Sequence, residues 1–95
     1  MLVSVVATLP IGELPDIGRK FGFVPDAATA IRIAVTVWEP IYGKKEIASE
    51  RPFHAKLRGG IWYVYGSLPP GFLGGVAEAK IRRSDGKVLY IMHGV

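Results

Sequence analysis

The chain has no cysteine. That excludes disulfides and thiolate metal centres, and it makes stability independent of the redox state of the surroundings. Histidine is nearly as scarce. His54 and His93 are the two present, and neither has an aspartate or glutamate at a metal-ligand spacing beside it in sequence, so no metal site is expected. No apolar run approaches the roughly 18 residues that a membrane-spanning helix needs, so no membrane partner is expected. The opening Met1–Ile11 is apolar but lacks the basic segment and small-residue cleavage site of a signal peptide. A cytoplasmic location is expected, or a periplasmic one if a signal peptide lies upstream. Catalytic signatures are missing as well. There is no Gly-x-Ser-x-Gly, and no Ser–His–Asp arrangement can be assembled. Gly71–Gly75 lacks the Gly-Lys-Ser/Thr ending of a phosphate loop and leads toward a strand. Asp26 reads as a helix cap, and Glu39, Glu46 and Glu78 read as surface charge. No catalytic residue and no cofactor are expected.

What remains describes one small globular domain. The 95 residues are 49% hydrophobic and 21% charged, enough apolar material for a single core and too little chain for two. Charge is unevenly placed. Residues 1–50 carry five Lys and Arg against six Asp and Glu, a net −1, while residues 51–95 carry seven against two, a net +5. The second half therefore holds the whole cationic excess and favours acidic partners.

Proline and glycine at Pro10, Gly12, Pro15, Gly18 and Gly22 break up the first stretch, so residues 1–21 are expected to form an irregular or strand-like arm. A single helix-plus-sheet domain is expected over residues 22–95. Its helix starts at Asp26, whose carboxylate can accept the free N–H groups of the first turn, with Val24 outside it as a hydrophobic staple. Ala27, Ala30, Ile31, Ala34, Val37, Trp38 and Ile41 follow at spacings of three and four, one apolar helical face. Pro40 should end or kink the helix near Trp38–Ile41, with Gly43 as the stop. Lys44–Arg51 reads as a charged connector.

Beyond it the period changes to two. Phe53–Arg58 and Ile61–Tyr65 flank Gly59-Gly60, a pair suited to the positive φ angles of a two-residue hairpin turn. That turn opposes Arg58 to Ile61, Leu57 to Trp62 and Ala55 to Val64. Phe53, Ala55, Leu57, Trp62 and Val64 then share a core face. A second hairpin spans Val76–Arg83 and Lys87–His93. A three-residue turn with a bulge at Gly86 groups Ala77, Ala79, Ile81, Leu89 and Ile91 and leaves Lys80, Arg82 and Tyr90 outside. The expected fold class is α+β: one main helix packed on a curved antiparallel sheet of about four strands.

The outer face of that sheet is the most informative feature. Tyr63, Tyr65 and Ile61 alternate with core residues and lie opposite His54, Lys56 and Arg58. Together with Arg82, the residues Tyr63, Tyr65, Lys56, Arg58 and Ile61 are the candidate partner-binding set. Aromatics interleaved with cations suit a protein interface, where Tyr and Arg are favoured anchors. They also suit a platform for single-stranded nucleic acid, although no RNA-recognition signature accompanies them.

A family resemblance joins these features. Phe23-Val24-Pro25-Asp26, the Ala-Ile-x-Ile-Ala helix, Val37-Trp38-Glu39-Pro40-Ile41-Tyr42-Gly43 and Arg51-Pro52-Phe53 come first. Gly60-Ile61-Trp62, Gly66, Leu68-Pro69, Gly74-Gly75-Val76, Asp85-Gly86-Lys87 and His93-Gly94 follow. In that order the chain resembles the nuclear-transport-factor-2-fold immunity proteins of bacterial polymorphic toxin systems, from about Gly22 to Gly94. The resemblance implies a cone-like sheet against the helix, and a non-enzymatic protein that binds and neutralises a cognate toxin. It supplies no catalytic residue and no toxin-binding surface. Two other readings stand beside it: a small-molecule-binding or isomerase-like domain of the same superfold, and a nucleic-acid-binding module. With a toxin as partner, no nucleic acid is expected to bind.

Overall fold

The computed structural model describes residues 22–94. The expected arm at residues 1–21 lies outside the described residues. Helix α1 runs Ala27–Tyr42, a short helix α2 runs Lys44–Ala48, and four strands follow: β1 His54–Arg58, β2 Ile61–Tyr65, β3 Ala77–Arg82 and β4 Val88–His93. The strands form one antiparallel sheet in the order β1-β2-β3-β4, with α1 packed against β1, β2 and β3. The α+β class expected from the sequence is the one observed.

Helix α1 begins as its sequence predicts. Asp26 has extended backbone, and its Oδ1 accepts from the Thr29 N–H at 2.8 Å. This bond satisfies one free donor of the first turn and holds the Asp26 carboxyl below its ordinary range. Ala30, Ala34 and Trp38, four residues apart, form the buried stripe. The apolar face is therefore narrower than expected. Val37 is half-buried on the flank of the helix, and Ile41 is exposed. Pro40 does not stop the helix, which continues to Tyr42. Gly43 closes it at φ 96°, its N–H donating to Glu39 O at 2.8 Å. The charged connector also contains structure. Lys44–Ala48 is helical, α2, and its Ile47 is buried against the core.

The first hairpin has the expected register: Arg58 opposes Ile61, Leu57 opposes Trp62 and Ala55 opposes Val64. Trp62 and Val64 are buried, and the Trp62 indole N–H donates to Val24 O at 2.8 Å. Leu57, expected in the core, is 40% exposed. It sits one residue from the hairpin tip on an edge strand, with a neighbouring strand on one side only.

The second hairpin differs near its turn. Ala77 opposes His93 and Ala79 opposes Ile91, as expected, but Ile81 opposes Val88. The bulge therefore falls at Leu89, not at Gly86, and the turn has four residues, Arg83–Gly86. Arg82 N–H donates to Lys87 O and Gly86 N–H to Arg82 O, both at 2.8 Å. The extra β4 residue puts Val88 against the core, and Leu89 is 40% exposed. The turn itself is held from outside. Phe23 and Val24 N–H groups donate to Ser84 O and Arg83 O. Gly22, at φ 79°, lies so close to Arg83 and Ser84 backbone that any side chain there would collide with it.

Candidate functional site: an aromatic–cationic sheet face and a buried Glu–His pair

The helices occupy one side of the sheet. Among the described residues, no helix or strand covers the other. All six sequence-selected residues lie on that outer side, because the observed registers put Lys56 beside Tyr63, Tyr63 beside Lys80, and Arg58 and Arg82 on either side of Ile61. Tyr63 and Tyr65 are half-buried among the neighbouring side chains of the same face. The Lys56 ammonium lies 6.0 Å from the Tyr65 ring centre, and His54 stacks on the same ring at 5.1 Å. Lys80 was not among the sequence-selected residues, yet it is central. Its ammonium is 5.5 Å from the Tyr63 ring and 4.9 Å from the Tyr90 ring. Such contacts hold long cationic side chains over aromatic faces and lower the entropy lost when a partner fixes them.

Arg82 has a different status. Its guanidinium makes a bidentate pair with Asp85, at 2.9 and 2.6 Å, which draws the Asp85 carboxyl down to about 2 and compensates the charge of Arg82. Lys56, Arg58 and Lys80 are the cations of this face with no carboxylate in salt-bridge range among the described residues. Tyr63, Val64, Tyr65, Glu78, Lys80 and Tyr90 line a shallow depression of about 280 Å³ in the middle of the face.

The core side carries a feature that sequence spacing concealed. Glu50 is 3% exposed, the buried charged residue of the described chain. Its Oε1 accepts from the Ala77 N–H at 2.7 Å and its Oε2 lies 2.6 Å from His93 Nε2. His93 Nδ1 is 2.8 Å from Gly94 O, and Glu46 Oε2 is 3.6 Å from His93 Nε2. The hydrogen bond to Glu50 raises the His93 imidazole above its ordinary value, against the opposing effect of burial. Glu50 and His93 are far apart in sequence, and Glu50 sits in a charged run, so no local pattern marks the pair. Folding brings them together because Ala77 and His93 are register partners and α2 packs beside them.

The expectation that no carboxylate accompanies a histidine is thus corrected in space. Glu46, Glu50 and His93 offer ligand atoms within 4.8 Å of one another, a set that could hold a cation. In the arrangement observed, the Glu50–His93 contact has hydrogen-bond length, so a proton occupies the line between them. A hydrogen-bonded pair that is fully partnered and closes the end of a core is a structural arrangement.

No curated protein and no solved structure matches this chain. The sequence profile of a family described as NTF2 fold immunity protein matches residues 29–94. That span takes in α1 from Thr29 onward, α2, all four strands, the outer sheet face and the Glu50–His93 pair. On fold, motif order and this match together, the chain belongs to the NTF2 fold immunity protein family.

Proposed function

We propose that this protein binds and neutralises a cognate toxin of a bacterial polymorphic toxin system, acting by occlusion and without turnover. The observation that carries the reading is the family match over residues 29–94. The outer sheet face supplies a surface suited to the task. Tyr63, Tyr65 and Ile61 act as apolar anchors, and Lys56, Arg58 and Lys80 supply a positive field around them. Lys80 joins the sequence-selected set because it bridges two tyrosines. Arg82 contributes less field than its formal charge suggests, since Asp85 pairs with it.

The partner's complementary surface is acidic or apolar. Nucleic-acid-cleaving toxins approach phosphates with basic surfaces, and an inhibitor that copied nucleic acid would be acidic. This chain has a net charge of +4, so it is not such a mimic. No helix of the described chain is long and apolar enough to cross a membrane.

The test is co-expression with the toxin domain encoded beside the chain, followed by binding measured on the purified pair. Protection of the host cell and a stoichiometric complex are expected. Survival without complex formation would overturn the occlusion reading. Tight, salt-sensitive binding of single-stranded oligonucleotides with no toxin binding would establish the nucleic-acid module instead.

A further inference from the structure

Beside the Glu50–His93 pair is a cleft of about 510 Å³ between α2 and the loop joining β2 to β3. Its walls are apolar: Leu68 and Phe72, with Leu73 at the rim. Its floor is Glu46, Glu50 and His93. Leu73 is 98% exposed and Phe72 66% exposed, so two large apolar side chains are held in solvent at the tip of one loop. Contiguous exposed apolar surface of this kind marks a contact site more often than a resting surface.

The loop is anchored at both ends on one residue. Ser67 N–H donates to the backbone oxygen of Glu50 at 2.7 Å, and Ala77 N–H donates to its side chain at 2.7 Å. Gly94 N–H also ties to Val76 O at 3.2 Å. A loop fixed in this way presents its tip with less conformational entropy left to lose on binding.

Charge then selects the occupant. Among the described residues no lysine or arginine lines the cleft, although residues 51–95 carry a net +5. With His93 doubly protonated, two carboxylates still face one cation. The Glu46 carboxylate is about half exposed, and among the described residues its ion-pair contact is the 3.6 Å approach to His93, which leaves lone pairs on the open side. An acidic floor under apolar walls is the complement of a side chain with a cationic head and a methylene stem.

We infer that this cleft receives one lysine or arginine side chain of the toxin, with Phe72 and Leu73 packing on apolar surface around that residue. The inference rests on the toxin-binding reading above and adds a second contact to it. The toxin would then present acidic or apolar surface to the tyrosine face and a basic residue to the cleft. That alternation fixes the orientation of docking and disfavours partners carrying the opposite pattern.

The experiment measures binding of the co-encoded toxin domain to the wild-type chain and to Glu46→Lys, Glu46→Gln and Leu73→Ser. Both positions are exposed, and melting temperatures are read beside binding because Glu46 also lies 3.6 Å from His93. Glu46→Lys is expected to weaken binding by about a hundredfold, Glu46→Gln by several-fold and Leu73→Ser by about tenfold. Exchanging the toxin's contacting basic residue for glutamate should restore binding to Glu46→Lys. Wild-type binding that all three variants leave unchanged would overturn this inference while leaving the proposed function standing. Failure of the wild type itself to bind the toxin would overturn both. Titration of the wild type with Zn²⁺ alone separates the remaining source of positive charge. Micromolar zinc affinity lost in His93→Gln would show the floor to be a metal site and would overturn the side-chain assignment.

Discussion

His93 Nε2 lies 2.6 Å from Glu50 Oε2, while Nδ1 of the same ring lies 2.8 Å from Gly94 O. Both ring nitrogens face acceptors. A neutral imidazole has one N–H, so it can satisfy one of the two. The imidazolium satisfies both, which makes the buried carboxylate and the protonated ring one unit.

Stability should therefore depend on pH around the histidine range. The folded value of His93 is raised above its ordinary 6.5. Its contribution is fully present below that ordinary value and is lost as pH rises through the raised folded value. Thermal melts of the wild type should show falling stability across that window, and His93→Gln should flatten it. At low pH a separate loss is expected, as Asp26 and Asp85, both depressed in the folded chain, become protonated. A wild-type curve that shows no fall as pH rises from the ordinary histidine value, or one that His93→Gln does not change, would show that the pair carries no linked stability.

Gly66 should not tolerate a side chain. An added Cβ would lie 2.7 Å from Glu50 Oε1 and 2.9 Å from Glu50 Cβ. Glu50 cannot move aside without releasing Ala77 N–H or His93. Gly66→Ala is expected to destabilise by about 1–3 kcal/mol, the usual range for overpacking a well-filled site. Gly71→Ala makes a control for space, since nothing lies within 4 Å of its added Cβ, although its φ of 83° brings backbone strain of its own. Chemical denaturation of Gly66→Ala beside the wild type reads the effect, and an unchanged midpoint would contradict the packing described here.

The sheet's two faces should respond differently to truncation. Trp62 is buried and bonded to Val24 O, and Trp62→Ala should destabilise by about 3–5 kcal/mol. Tyr63, the next residue, points to the other side, and its truncation should matter much less to folding. Leu57→Ala should also be milder than Trp62→Ala, because Leu57 keeps much of its exposure in the folded chain. Equal destabilisation at Trp62 and Tyr63 would be inconsistent with the register.

Association and dissociation of the toxin should separate by residue type. Charge reversal at Lys56, Arg58 and Lys80 should slow association and reduce its salt dependence, since these cations act at a distance. Alanine at Tyr63 and Tyr65 should instead speed dissociation, since anchors act in contact. Arg82→Ala should have a smaller effect on association than Lys80→Ala, because the Asp85 pair already compensates Arg82. Binding kinetics at two ionic strengths distinguish these outcomes. If none of the substitutions changes either rate, the toxin docks elsewhere.

The sequence by itself determined what rests on short-range periodicity and turn chemistry. Asp26 caps α1, the Gly59-Gly60 turn sets the first hairpin's register, and the alternation in Ile61–Tyr65 sorts Trp62 from Tyr63. These depend on residues a few positions apart, so local pattern suffices. Only the tertiary structure decided the rest. Leu89 leaves the core because a four-residue turn shifts the bulge to it, and the segment at Phe23–Val24, distant in sequence, docks on Arg83 and Ser84 of that turn. Lys80 becomes central because β3 lies between Tyr63 on one neighbour and Tyr90 on the other. Glu50 reads in sequence as one more charge in a polar connector. It becomes a buried anchor because the end of β4 returns His93 to it, and a charge can be buried only when such a partner arrives from elsewhere in the fold.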